Sequence, residues 1–173
     1  MDADEAGDLA PGNTDPDDLS RLEVQLTVLV RNSELLWRRG APDGEVERAG
    51  YLILRALDSV GSIDITELAE VLGVDASTVG RQVASLADAG LVARAPGEAD
   101  RRRSVVSISP SGRDRLHVTA AGRRERTARL VEDWGQAELR SLATLLARYN
   151  HAVAERYMTG IEAISPRRAE QQD

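Results

Sequence analysis

The strongest constraint on the fold is the stretch "SIDITELAEVLGVDASTVGRQVASLADAGLV", residues 62–92. It divides at "LGV" into two runs whose apolar residues recur at helical spacing. Those residues are Ile65, Leu68, Ala69 and Leu72 in the first run, and Val79, Val83 and Leu86 in the second. Asp75 or Ser77 can cap the second run, Gly73 supplies the turn, and Gly90 is a C-terminal stop. The stretch therefore predicts two short helices joined by a tight turn.

Two short segments rich in β-branched residues follow this pair. "LVARA" and "SVVSIS" predict strands, and the turn-forming "PGEADRR" between them predicts a hairpin with a basic tip. Two short helices followed by such a hairpin are the arrangement of a winged helix-turn-helix, which binds duplex DNA. We therefore expect a mainly α fold with a small β-hairpin wing, in which a DNA-binding lobe is joined to a helical dimerisation region.

Longer helices are predicted on both sides of this lobe. Apolar spacing and stop signals place them at about 16–39, 46–60, 110–134 and from residue 136 onward. Ser109 is the expected cap of the third, Pro110 its first residue, and Gly122 a weak point within it. The last helix carries an apolar stripe of Leu139, Leu142, Leu146, Tyr149, Val153 and Tyr157. The stripe is long enough to pack against a partner, so we interpret this helix as a dimerisation element.

The composition indicates a helical core and a polar leader. Hydrophobic residues make up 42% of the 173 residues, but aromatic residues only 3% and phenylalanine none, so Leu, Val, Ile and Ala must fill the core. Residues 1–20 hold seven acids and no base, which accounts for the net charge of −7. We expect residues 1–16 to be a disordered acidic leader and residues 163–173 a flexible tail.

The second short helix offers candidate DNA contacts. With Val79, Val83 and Leu86 facing inward, a turn of 100° per residue puts a polar face opposite. That face comprises Ser77, Arg81, Ala84 and Ser85, with Thr78 at its edge. Ser77 and Thr78 can bind phosphate at the helix N-terminus, and Arg81 is long enough to reach a guanine edge. The alternative is a capping serine among solvated polar residues.

The wing supplies a second group of candidates, namely Arg94, Asp100, Arg101, Arg102 and Arg103. Asp100 stands two residues before Arg102 and can hold its guanidinium by a bidentate pair. An arginine aimed in this way loses less entropy on entering a narrow minor groove. The alternative is a solvated loop, but three adjacent cations repel one another and a hairpin has no need of them.

The stretch "LAEVLGVDASTVGRQVASLADAGLVARAPGEADRRRSVVSISPSGR", residues 68–113, resembles the DNA-binding domain of the MarR (multiple antibiotic resistance regulator) family. The resemblance is most specific over residues 62–113, and the helix order is similar over residues 17–162. The family's Leu-Ala pair and following Gly fall on Leu68, Ala69 and Gly73, and its Asp-x-Arg wing pattern on Asp100 and Arg102. The chain departs from the family pattern at Gly80 and Arg103, so the bases read are left open.

The resemblance implies a homodimer that binds a near-palindromic operator and represses, or sometimes activates, nearby genes. The dimerisation helices would lie at about 17–40 and 110–162, and the DNA-binding lobe at about 46–109. Two recognition helices would lie about 34 Å apart, which is one turn of duplex DNA. Family members are often released from DNA by an aromatic or anionic small molecule, for which Trp37, Tyr51, Arg55 and His117 are candidate contacts. The alternative places these four residues in the core or an interface.

Other functional classes find little support in the sequence. There is no cysteine, and His117 and His151 stand far apart, so we expect no disulfide and no metal site. Nucleotide-binding, zinc-protease and hydrolase motifs are absent, which argues against an enzyme and a cofactor. No apolar run reaches the ~18 residues of a membrane span, and the protein is expected in the cytoplasm. The remaining alternative is a winged-helix protein-interaction module, which the net acidity favours. Arginines near the expected groove favour DNA instead.

Overall fold

The computed structural model describes residues 15–39, 45–96 and 104–157. The elements in these ranges are α1 (Pro16–Arg39), α2 (Arg48–Val60), β1 (Ile63–Asp64), α3 (Ile65–Leu72), α4 (Ala76–Asp88), β2 (Val92–Pro96), β3 (Ser104–Ile108), α5 (Pro110–Leu130) and α6 (Gln136–Tyr157). The predicted class, mainly α with a small β wing, is confirmed. The chain divides into two compact units, residues 1–40 and residues 41–173.

In the described part of the first unit, residues 15–39, the chain forms the long helix α1. The backbone N–H of Asp17 donates to Asp15 Oδ1 at 2.9 Å, which satisfies one of the free amides of the first turn. Many large apolar side chains of this helix are exposed in the single chain: Leu19, Leu22, Val24, Val28, Leu29, Val30, Leu35 and Leu36. Among the described residues, no helix is long and apolar enough to cross a bilayer.

The second unit is built around one aliphatic core. Its largest fully buried side chains come from α2 (Ile53, Leu54, Leu57), α3 (Leu68), α4 (Val79, Val83), β3 (Val106) and α5 (Leu116). Leu86 also lies in this cluster, so the inward face predicted for α4 is confirmed. The core therefore fixes α3 and α4 against α2 and the sheet, and it leaves the opposite face of α4 outside.

The sheet has one strand more than the predicted hairpin. It is antiparallel with the order β1-β3-β2, and Ile63 pairs with Val106 while Val92 pairs with Ile108. The sequence did not reveal β1 because a strand of two residues has no alternation to detect. Its pairing with β3 fixes the start of α3, where the Asp64 side chain accepts a hydrogen bond from the Thr66 N–H at 2.8 Å.

The prediction that α5 weakens at Gly122 is wrong, since this helix is continuous from Pro110 to Leu130. A Cβ at position 122 would overlap the carboxylate of Glu45. That carboxylate is only 3% exposed and receives two hydrogen bonds of 2.7 Å from Arg126. The missing side chain of Gly122 thus leaves room for the Glu45 carboxylate to pack against α5 and pair with Arg126, and the glycine does not bend the helix.

The predicted helix boundaries are otherwise confirmed to within a few residues. Ser109 accepts a hydrogen bond from the Gly112 N–H at 3.0 Å, and Pro110 is the first residue of α5. Gly73 and Gly90 have φ values of 65° and 72°, in the left-handed region that glycine enters readily. Local capping chemistry therefore places the ends of these helices where the sequence predicted them.

Candidate nucleic-acid interface

The face of α4 that points away from the core is polar and carries small side chains. Ser77, Arg81 and Ser85 are exposed, while Thr78 and Ala84 are half-buried at its borders. This is the arrangement predicted from helical spacing. An α-helix whose outer face is free and slender can enter the major groove of B-form DNA.

The N-terminus of α4 is closed by a carboxylate. Asp75 is the cap, and its Oδ1 accepts from the Thr78 N–H at 2.8 Å. Two hydroxyls donate to the same group, Ser77 Oγ to Oδ1 at 2.5 Å and Thr78 Oγ1 to Oδ2 at 2.7 Å. Hydrogen bonds from Ser77 and Thr78 hold the pKa of Asp75 well below its usual range. The cap is therefore a carboxylate that favours its ionised form and accepts three hydrogen bonds at the N-terminus of α4.

Arg81 is connected to this cap through Thr78. Its Nη2 donates to Thr78 Oγ1 at 3.1 Å, one helical turn toward the N-terminus. Long side chains on a helix point in that direction, so the contact needs no unusual conformation. The guanidinium of an exposed arginine is thereby held at one place on the outer face of α4.

Gly80 lies in the middle of α4, beside Arg81. A Cβ built at this position meets no atom within 4 Å. Packing within this chain therefore does not require the glycine, although glycine inside a helix costs about 0.5–1 kcal/mol relative to alanine. The position marks a bare strip of backbone on the border of the exposed face.

The wing is described only along its two strands. Arg94 lies exposed on β2, where its Nε donates to Ser104 Oγ of β3 at 3.3 Å. The other wing candidates, Asp100, Arg101, Arg102 and Arg103, fall in residues 97–103 and lie outside the described residues. The structure therefore brings Ser77, Thr78, Arg81 and Ser85 together on one helix, and it places Arg94 on the stem of the wing.

Comparison with known proteins identifies the family. Residues 46–103 match the MarR family profile. The helix-turn-helix transcriptional regulator YxaD of Bacillus subtilis is 34% identical over 131 residues, which cover 76% of this chain and 92% of YxaD. The chain belongs to the MarR family. This MarR-family protein is a DNA-binding regulator of transcription with a winged helix-turn-helix fold.

Solved structures share the fold of this MarR-family protein. A mutant of MarR from Escherichia coli, solved in complex with operator DNA, superposes with a TM-score of 0.63 over 79% of this chain and 99% of that chain, at 20% identity. BpsR of Bordetella bronchiseptica, whose DNA binding is regulated by 6-hydroxynicotinic acid, gives a TM-score of 0.59 over 73% of this chain and 98% of that chain, at 22% identity. At these identities the likeness establishes the fold alone.

A second feature of this MarR-family protein is an open cleft of about 560 Å³ between α2 and α5. It is lined by Tyr51, Arg55, Ala120, Arg123, Arg124, Thr127, Ala128 and Val131. Tyr51 and Arg55 are two of the four predicted effector contacts. Of the other two, His117 is exposed elsewhere on α5, and Trp37 lies on α1 in the first unit.

The cleft is basic, a property that no local sequence pattern predicted. The eight lining side chains include three arginines and no acid. The guanidinium of Arg123 lies 5.1 Å from the centre of the Tyr51 ring, and burial lowers the pKa of this arginine. In the sequence, Arg123 and Arg124 look like any solvated face of a helix. Only the packing of α5 on α2 places Arg123 beside the Tyr51 ring and Arg124 in the same cleft.

Proposed function

We propose that this protein is a homodimeric repressor that binds a near-palindromic operator. The α4 helix of each subunit enters the major groove, where Arg81 reads a base edge, and Ser85 lies along the same face. The wing reaches the adjacent minor groove through Arg101, Arg102 and Arg103, with Asp100 aiming Arg102 and Arg94 contacting the backbone. Two subunits present their α4 helices to two half-sites one helical turn apart.

The observation that carries this proposal is the outer face of α4. It combines small side chains with one long cation, Arg81, which is exposed and held by Thr78. Bidentate arginine to guanine is the commonest specific contact in the major groove. The net charge of −7 favours a protein-interaction module, but attraction to phosphate depends on where the individual charges lie. Arg81 and Arg94 lie on the outer face of α4 and on the stem of the wing, the two surfaces proposed to meet the duplex.

Exposed apolar surface supports the homodimer. On α6, Leu142 and Tyr149 are 41% and 42% exposed in the single chain, and Tyr157 is 75% exposed. Apolar residues are exposed along α1 as well. Large apolar side chains that recur along the exposed face of a helix favour burial against another protein. A second copy of this chain can cover such a surface, because a two-fold interface pairs the same patch of both subunits.

The cleft between α2 and α5 supports control by a small anionic molecule. Arg55, Arg123 and Arg124 supply positive charge, and Tyr51 supplies an aromatic face. An aromatic carboxylate matches both features, since guanidinium groups bind carboxylates in a bidentate manner. Binding there shifts the equilibrium away from DNA only if the ligand prefers the state with lower DNA affinity.

The test compares Arg81→Ala and Arg102→Ala with the matched control Arg140→Ala, an exposed arginine of α6 outside the lobe. A duplex selected from a random-sequence pool by the wild-type protein serves as operator, and its scrambled version as the non-specific probe. Each of the first two variants should lose about 1–3 kcal/mol of operator binding by fluorescence anisotropy at fixed salt. The control should bind as the wild type does.

Two results would contradict the proposal. If no duplex is enriched and all sequences bind equally weakly, the protein-interaction alternative gains. If Arg81→Ala and Arg140→Ala lose the same small amount, α4 is not the reading element.

A further inference from the structure

The hydroxyl of Thr78 has its single proton committed. A threonine hydroxyl carries one donor and two acceptor lone pairs. Its proton goes to Asp75 Oδ2 at 2.7 Å, and one lone pair accepts from Arg81 Nη2 at 3.1 Å. The hydrogen bonds therefore run in one direction, from Arg81 to Thr78 to Asp75.

This direction argues against the phosphate contact predicted for Thr78. A phosphate oxygen can only accept a hydrogen bond, so Thr78 would have to withdraw its proton from Asp75. The carboxylate would then lose a donor while a second anion approached the same helix end, which is unfavourable on both counts. The same reasoning applies to Ser77, whose hydroxyl donates to Asp75 Oδ1.

We propose that Thr78 is a positioning residue for Arg81, and that Asp75 fixes the direction of the Thr78 hydroxyl. We call Asp75, Thr78 and Arg81 the relay, and this relay sets the specificity of base reading. The proposal rests on the proposed function, in which Arg81 reads a base edge. A free arginine samples many rotamers and loses that freedom on binding, whereas an arginine already held loses less. The relay stands on a rigid base, because Val79 and Val83 beside it are fully buried.

The relay predicts different roles for two neighbouring hydroxyls. Both donate to Asp75, but the hydrogen bond from Arg81 goes to Thr78 Oγ1. Ser77→Ala is therefore a matched control, since it removes a hydroxyl from the cap and leaves the Arg81–Thr78 contact in place. Thr78→Val keeps the shape and the backbone N–H of the cap, and it removes the support of Arg81.

The experiment is a double-mutant cycle of Thr78→Val and Arg81→Ala, with Ser77→Ala alongside. Binding of the full-length variants is measured on the duplex selected by the wild-type protein and on its scrambled version. Thr78→Val should weaken the selected duplex about two- to tenfold and leave the scrambled duplex unchanged. In the Arg81→Ala background it should have no further effect. Thr78→Ser should restore binding, and Ser77→Ala should keep the wild-type preference for the selected duplex over the scrambled one.

Three outcomes would overturn the relay. Equal weakening of both duplexes by Thr78→Val would assign Thr78 to phosphate contact. The same loss in the presence and absence of Arg81, or in Ser77→Ala, would assign it to cap stability, which thermal unfolding followed by circular dichroism would register independently. No loss at all would show that Arg81 needs no support. If Arg81→Ala itself binds the selected duplex normally, the proposed reading role fails first.

Discussion

Two glycines of this chain differ in whether packing within the chain requires them. At Gly112 a Cβ would overlap the backbone carbonyl of Leu91, so the close approach of α5 to the strand entry requires glycine. At Gly80 a Cβ meets nothing, so within the chain the glycine only lowers helix stability. The most direct use of a bare backbone on the exposed border of α4 is close approach to DNA.

Gly80→Ala should therefore stabilise the protein and weaken its operator binding. The expected gain in free energy of unfolding is about 0.5–1 kcal/mol, because alanine restricts the unfolded chain and fits the open space. Denaturant titration measures the gain, and anisotropy on the selected duplex measures the loss of affinity. Gly112→Ala is the contrast, with an expected destabilisation of about 1–3 kcal/mol from overpacking. Unchanged affinity in Gly80→Ala would mean that the backbone stays clear of the duplex.

At the scale of elements, α5 is joined to the entry of α2 by two polar contacts. The buried carboxylate of Glu45 pairs with Arg126, and the Val46 N–H donates to Thr119 Oγ1 at 3.1 Å. The basic cleft lies along the same pair of helices, where Arg123 stacks on Tyr51. A ligand that draws Arg123 toward itself acts on the contact between a helix of the lobe and the long helix that follows the wing.

Benzoate should bind this cleft, because its carboxylate can pair with the guanidinium groups of the lining arginines. Its neutral isostere benzamide has no charge to pair with them and should not bind. At 100 times its Kd, benzoate should stabilise the fold by about 2.7 kcal/mol, measured as a rise in Tm. Arg123→Ala should abolish the rise, and Arg140→Ala should keep it. Equal shifts with benzoate and benzamide would show that charge does not select the ligand.

At the scale of the whole molecule, apolar surface and charge are unevenly distributed. The second unit buries a complete core, whereas α1 and α6 leave many apolar side chains exposed in the single chain. The seven acids of residues 1–20 carry the net charge, so the rest of the chain is neutral overall. A neutral body with exposed apolar helices lacks strong self-repulsion and favours association.

Replacing Leu142 and Tyr149 together by glutamate should convert the proposed dimer into a monomer. Four carboxylates would meet across a two-fold apolar interface, and their burial without partners is costly. Sedimentation equilibrium measures the mass, and operator affinity should fall about 100-fold or more because the second half-site is no longer tethered. Arg148→Glu, on the opposite side of α6 from the stripe, is the control and should remain dimeric. A monomeric wild-type protein would refute this interpretation.

The sequence by itself determined the helices, the hairpin and the outer face of α4. Periodicity shows which side of a helix is apolar, and caps such as Asp75 and Ser109 act within one turn, so neighbouring residues contain all the information. The Asp75–Thr78–Arg81 relay is local in the same sense, since each contact joins residues three apart in the sequence. The directions of its hydrogen bonds follow only from the atomic structure.

The tertiary structure alone decided features that join distant parts of the chain. The pairing of Ile63 with Val106, the approach of Glu45 to Gly122 and the stacking of Arg123 on Tyr51 each bring together residues far apart in sequence. None of these residues shows its partner in a local pattern: Gly122 looks like a helix breaker, and Arg123 like a solvated charge. Their roles follow from how α2, α5 and the sheet close around one core, because long-range contacts depend on packing that no short segment encodes.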